Sequence, residues 1–185
     1  VVGRQCEAWQ RHARVLDPGA LSAAASVPEG LRATLRPYQV EGYQWLSALW
    51  DARLGGVLAD DMGLGKTVQT LALAQRALEA GELTKPVLVV APTSVLATWV
   101  GEAARFTPEV SVRAVPRTSR SRGRPLSEEI AGAHLVVTSY AVARIDAAEF
   151  ASVAWHALVL DEAQQVKNHR SKTYQSVRRL DRELT

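Results

Sequence analysis

Cysteine is almost absent from this chain: Cys6 stands alone among 185 residues, which excludes an internal disulfide and suits a reducing compartment. No apolar run approaches the roughly 20 residues that cross a bilayer, and no signal-peptide pattern opens the chain. Internal repeats are lacking. No cluster of His, Cys, Asp and Glu has the spacing of a dedicated metal cage, and His134, His156 and His169 are scattered. A strong charge of one sign is missing too, since the formal net charge is only +3, too little to announce a nucleic-acid protein by itself. Hydrophobic residues make up 47% of the chain, enough to bury one α/β core and too little chain for two full lobes.

Against that background two short runs carry chemistry. The first is Asp60-Asp61-Met62-Gly63-Leu64-Gly65-Lys66-Thr67. Gly55 to Ala59 before it reads as a short buried strand. After it Val68, Leu71, Ala74 and Leu78 recur at helical spacing until Gly81 stops the helix. The run therefore sits at a strand-to-helix turn, where Gly63, Leu64 and Gly65 would offer backbone N–H groups to phosphate oxygens. Lys66 would neutralise the β- and γ-phosphates and the Thr67 hydroxyl would coordinate Mg²⁺. One departure is Asp60 at a place where the strict phosphate-loop pattern has glycine. Taken alone, Gly-Lys-Thr also fits an ordinary turn before a helix.

The second run is Asp161-Glu162-Ala163-Gln164, delivered by the apolar strand Ala157 to Leu160 to the sheet edge where ligands bind in open α/β folds. Asp161 would hold Mg²⁺, and Glu162 would orient and deprotonate an attacking water. An acidic first turn of a surface helix is the bland alternative. Both runs in one chain, in this order, favour a nucleoside-triphosphate site.

A family can now be named. Leu35-Arg36-Pro37-Tyr38-Gln39-Val40-Glu41-Gly42-Tyr43-Gln44-Trp45-Leu46, the Met-Gly-Leu-Gly-Lys-Thr loop and Asp-Glu-Ala-Gln closely resemble the Swi/Snf-type ATPases of helicase superfamily two. Val87 to Ser94 with Trp99 and Phe106 looks like the family's motif Ia, Val136 to Tyr140 looks like motif Ib, and Lys167-Asn168 follows motif II as it does there. The resemblance implies a RecA-like, three-layer α/β lobe with a mainly parallel sheet, whose strands lie around Val57, Val89, Val112, Val136 and Val159. It implies ATP and Mg²⁺ as cofactors, with Gln39 reading the adenine edge, and Lys66, Asp161 and Glu162 as catalytic residues. It also implies movement along duplex DNA without necessarily separating the strands. Thr93 and Ser94 of motif Ia and Thr138 and Ser139 of motif Ib would touch the DNA backbone, although Ser94 is equally an N-cap candidate for the helix that follows. Asp60 is usual in the family, while Gln164 replaces a histidine found in many relatives. Leu184-Thr185 looks like the start of motif III, so residues 34–185 are expected to be a first lobe working with a second lobe in cis. That second lobe would bring arginine fingers that contribute on the order of 10³ or more in rate.

Lysine is scarce as well, with only Lys66, Lys85, Lys167 and Lys172 among 22 basic residues. This arginine bias, with abundant alanine, fits a GC-rich bacterial genome; together with the resemblance it implies a nucleoid-associated protein of the bacterial cytoplasm. Between Arg113 and Arg124 there is no acid. Arg117, Arg120, Arg122 and Arg124 are expected on a flexible basic loop, where they would meet phosphates or simply be solvated. Residues 1–33, rich in Ala, Gly and Pro, read as a linker or the tail of an upstream domain, with a short helix near Glu7 to Val15. Two other functions share much of this chemistry: a strand-separating DNA or RNA helicase lobe, and a nucleotide-gated scaffold that does not hydrolyse.

Overall fold

The computed structural model describes residues 25–59, 63–180 and 182–184. The helix expected near Glu7 to Val15 and the loop residues Asp60, Asp61 and Met62 lie outside the described residues.

Helix α1 (Pro37–Ala52) opens with proline at its first position, where the missing N–H costs nothing. It stops at Arg53, whose φ of 56° is left-handed. Helix α2 (Lys66–Glu79) ends before Gly81, which takes φ 69°. Then come β1 (Val87–Ala91), a 3-10 turn (Thr93–Val95), α3 (Leu96–Phe106), β2 (Val112–Val115), α4 (Ser119–Arg122) and α5 (Leu126–Glu129). They are followed by β3 (Leu135–Ser139), α6 (Tyr140–Ile145), α7 (Ala147–Ala151), β4 (Trp155–Leu160), a second 3-10 turn (Ala163–Val166), α8 (Lys172–Arg178) and β5 (Arg182–Leu184).

The five strands form one sheet in the order β2-β3-β1-β4-β5, and every pairing is parallel. Parallel sheets are covered on both faces, so β1 reads as an unbroken apolar run, β3 is apolar up to Thr138 and Ser139 at its end, and both are buried throughout. Alternate residues serve opposite faces. Leu88, Val90, Val136 and Leu158 pack with Tyr140 and Val142 of α6, Val166, and Val177 of α8. Val87, Val89, Ala91, Leu135, Val137 and Ala157 pack with Leu71 and Ala74 of α2 and with Leu96, Trp99 and Ala103 of α3. Each fully buried Val or Leu among them stabilises by about 1.5–3 kcal/mol. Trp155 is 1% exposed and belongs to the first of these layers.

One strand is not where the sequence puts it. Gly55 to Ala59 forms no strand, and Val57 is 78% exposed. Two successive glycines bring no side chain to a sheet face. Gly56 lies against α1 so closely that a Cβ would meet Leu49 Cδ1 at 2.3 Å, and the outer edge of β4 is taken by β5. The remaining expected strands, around Val89, Val112, Val136 and Val159, are all present.

The sense of α2 follows from Trp50. Its indole N–H donates to Glu82 Oε2 at 2.7 Å, just past the end of α2, and its ring stacks on His156 at 4.6 Å, at the start of β4. The C-terminal end of α2 therefore lies at the amino ends of the strands. With 14 residues the helix is about 21 Å long, and the six residues of β4 span about 20 Å, so the first turn of α2 comes to the carboxyl edge of the sheet.

Candidate functional site

Gly63 and Gly65 take φ of 84° and 78°, left-handed values that a residue with a Cβ adopts only at a cost. Gly65 is the N-cap of α2, and no side chain caps that helix. Its first-turn amides and the positive end of its dipole thus face outward, the arrangement that holds phosphate in many folds. Lys66 and Thr67 occupy the first turn. Gln39 spends both ends of its amide locally: Oε1 accepts from Arg36 N at 2.9 Å and Nε2 donates to Leu64 O at 3.0 Å. The residue assigned to adenine by resemblance is thus bonded to the backbone of the phosphate loop. A Cβ on Gly65 would sit 2.4 Å from Gln39 Nε2.

Asp161 leaves the end of β4 with its N–H bonded to Val90 O of β1 at 2.9 Å. Its carboxylate Oδ2 accepts the indole N–H of Trp99 at 2.9 Å, and its main-chain oxygen accepts the Tyr140 hydroxyl at 2.8 Å. Burial first, and then the charges of Asp161 and Glu162, push the Tyr140 phenol above its usual range, so it remains a donor at neutral pH. Glu162 has φ 52° and ψ 52°, a conformation that costs a non-glycine residue about 1–2 kcal/mol. The amide of Gln164 bonds to its carboxylate.

The two runs meet the same sheet edge. After β1 the chain passes to α3 on one face, and after β4 it passes to α8 on the other, so the crevice between the carboxyl ends of these neighbouring strands is a switch point. Thr67 and Asp161 supply hard oxygen donors of the kind Mg²⁺ takes together with phosphate oxygens. Uncapped helix amides, two left-handed glycines, a lysine and two carboxylates suit a polyphosphate with its cation.

The residues expected to touch DNA divide sharply. Thr93 and Ser94 are exposed at the carboxyl edge, and Arg117 and Arg120 are exposed as well. Ser94 does not cap α3, which starts from Val95 after a 3-10 turn and has no side-chain cap. Thr138 and Ser139 are turned inward: Thr138 is fully buried with its hydroxyl donating to Val115 O at 2.8 Å, and Ser139 Oγ caps α6 by accepting from Val142 N at 3.2 Å. Their side chains are consumed by the fold, because a hydroxyl at a buried strand end must find a partner.

The basic segment is likewise no flexible loop. Arg122 closes α4 with a side chain only 5% exposed. It donates to Arg117 O at 3.2 Å and Arg124 O at 3.0 Å, pairs with Glu149, and lies 3.7 Å from Asp146. Asp146 also accepts from Ser119 N and Ser119 Oγ at 2.6 and 2.9 Å. Acids absent from the segment itself arrive from α7 and its N-cap, 27 residues away. Arg124 pairs with Glu129 while its side chain stays 55% exposed.

From sequence, Trp99 and Tyr140 stand out only as members of motifs Ia and Ib, and their bonds to Asp161 span 62 and 21 residues. No local pattern signals them.

Known proteins resemble this arrangement closely. The model of the SNF2-related domain matches residues 38–184. The Bacillus subtilis protein YwqA, described as an ATP-dependent helicase/translocase, is 40% identical over 165 residues, covering 86% of this chain and 18% of YwqA. The chromatin-remodeling ATPase INO80 of Debaryomyces hansenii is 37% identical over 163 residues, covering 82% of this chain and 12% of its own length. Among solved structures, the Sulfolobus solfataricus SWI2/SNF2 ATPase core in complex with dsDNA superposes with a TM-score of 0.73 at 34% identity, over 86% of this chain and 33% of that one. The Sulfolobus solfataricus SWI2/SNF2 ATPase core domain gives a TM-score of 0.72 at 36% identity, over 85% of this chain and 31% of that one. The chain thus spans less than a fifth of these two curated relatives and about a third of the solved cores. A RecA-like sheet with its phosphate loop and Asp-Glu turn at one edge, matched over nearly the whole described region, makes this chain a member of the SNF2-related domain family.

Proposed function

We propose that this chain is the ATP-binding first lobe of a DNA-dependent ATPase that tracks along duplex DNA, with residues 34–185 as the lobe and residues 1–33 as a linker from an upstream part. The observation that carries this reading is the convergence of the uncapped first turn of α2 and the Asp161–Glu162 turn on one edge of the sheet.

In the mechanism we propose, the amides of Gly63, Leu64 and Gly65 and the α2 N-terminus hold the triphosphate. Lys66 balances charge at the β- and γ-phosphates. Thr67 and Asp161 would hold Mg²⁺, which when bound withdraws charge from the transferred phosphoryl group. Glu162 orients the attacking water and accepts its proton. Gln39, already bonded to Leu64 O, would exchange an Arg36 or Leu64 partner for the adenine edge and so report nucleotide to the loop. A second lobe in cis would complete the site with arginine fingers. Thr93 and Ser94, with Arg117, Arg120 and the exposed part of Arg124, would contact the DNA backbone without reading sequence. The duplex in the Sulfolobus solfataricus complex supports DNA as the partner. The identity to the Bacillus subtilis protein supports a bacterial setting, although the INO80 relatives are eukaryotic; a nucleoid association would follow from the DNA partner.

A strand-separating helicase is the second reading, favoured by the helicase/translocase description of YwqA. Nucleotide binding tests the site itself. Lys66→Ala should abolish binding of a fluorescent ATP analogue with the fold intact by circular dichroism, whereas Glu162→Gln should bind ATP and hold it unhydrolysed. Tight binding by Lys66→Ala would remove the loop from the site.

A further inference from the structure

Asp161 is gripped from both faces of the sheet. Trp99, 3% exposed, rises from α3 on one face and donates its indole N–H to the carboxylate. Tyr140, 5% exposed, opens α6 on the other face and donates its hydroxyl to the main-chain oxygen. The two donors act on different parts of the turn. Trp99 orients one carboxylate oxygen and leaves the other for a cation, while Tyr140 anchors the peptide that leads into Glu162, the residue held at φ 52°. Such a conformation persists only where its surroundings over-determine it. Both helices begin directly after the segments at 93–95 and 138–139, at the carboxyl edge of the sheet, so any displacement of those segments moves the donors that hold the turn.

We propose that Trp99 and Tyr140 are positioning residues of the hydrolytic site, Trp99 setting the metal-binding geometry of Asp161 and Tyr140 setting the backbone from which Glu162 is aimed. The proposal rests on the nucleotide-site reading above. Groups that orient a ligand without touching the metal typically matter 10–100-fold for affinity or activity.

The experiment uses the full-length protein and two variants that keep the ring and delete one donor, Trp99→Phe and Tyr140→Phe. Mn²⁺ binding in the presence of ADP is measured by electron paramagnetic resonance, and ATP turnover and melting temperature are measured alongside. Trp99→Phe should weaken Mn²⁺ binding roughly tenfold. Tyr140→Phe should leave Mn²⁺ binding within about twofold and lower kcat roughly tenfold with KM for ATP unchanged. Both should melt above the assay temperature, so the metal titration is readable even if one is destabilised. Metal affinity and turnover within about twofold of the parent in both variants would overturn the proposal, as would equal losses in both that follow the melting temperature. Failure of the parent itself to bind Mn²⁺ with ADP would instead sink the nucleotide-site reading.

Discussion

Arg122→Met separates what the basic segment does for the fold from what it does for DNA. Methionine keeps the aliphatic stem and removes the guanidinium, which is buried with 5% of its side chain exposed against an Asp146 side chain at 4%. Deleting one partner of a buried ion pair costs about 3–5 kcal/mol because the other charge is left uncompensated. Here the low end applies: Asp146 keeps its two bonds from Ser119, and the Glu149 side chain is 36% exposed, so water screens part of the loss. A cost of about 3 kcal/mol in a domain of this size lowers the melting temperature by about 6–12 °C. Adding Glu149→Gln to Arg122→Met should restore a minor part of that loss, since it removes the more exposed of the two carboxylates and leaves Asp146 without its guanidinium. Arg117→Ala with Arg120→Ala, both exposed, should melt within about 2 °C of the parent and reduce the salt dependence of duplex binding by about one unit per lost phosphate contact. Calorimetry and salt-titrated anisotropy read both sets. Arg122→Met melting like the parent while losing duplex affinity would refute the assignment of Arg122 to the fold.

Gly65→Ala should cost about 1–2 kcal/mol for the left-handed conformation alone. It should also weaken nucleotide binding, because the new Cβ would lie 2.4 Å from Gln39 Nε2 and break its bond to Leu64 O; unchanged affinity in a fluorescence titration would contradict this. The Glu79 carboxyl is opposed by burial, yet bonds from Gln75 and the amides of Gly30 and Glu29 outweigh that and hold its pKa below the ordinary 4.5. A depressed carboxyl contributes stability that is present above its unfolded value and lost as pH falls through the folded one. Urea midpoints should therefore fall on acidification below about pH 4.5 less steeply in Glu79→Gln than in the parent, and identical slopes would refute the role of these bonds.

The parts of the molecule that were legible in sequence are those written locally. Gly65-Lys66-Thr67 with the helical spacing of Val68, Leu71 and Ala74 announces the loop and α2. The apolar run of β1 and the apolar Leu135 to Val137 of β3 announce buried strands. Gly55 to Ala59 misled because an apolar tripeptide after two glycines matches a strand pattern, whereas Gly56 lies against Leu49 and Trp45 of α1, a contact that no local pattern signals. The arginines misled for a similar reason. A run without acid looks solvated until Asp146 and Glu149 fold back onto Arg122. Thr138 and Ser139 carry hydroxyls suited to phosphate, but burial at a strand end turns them to Val115 O and Val142 N.

The proposed function is an ATP site whose turnover is driven by duplex DNA. Steady-state ATP hydrolysis by the full-length protein, measured at one fixed salt concentration without nucleic acid and with duplex DNA, single-stranded DNA or RNA, tests it most directly. Stimulation should come chiefly from the duplex and be abolished in Glu162→Gln. Preference for a single strand would move the assignment to a helicase, and turnover indifferent to every nucleic acid would rule out a DNA-driven ATPase.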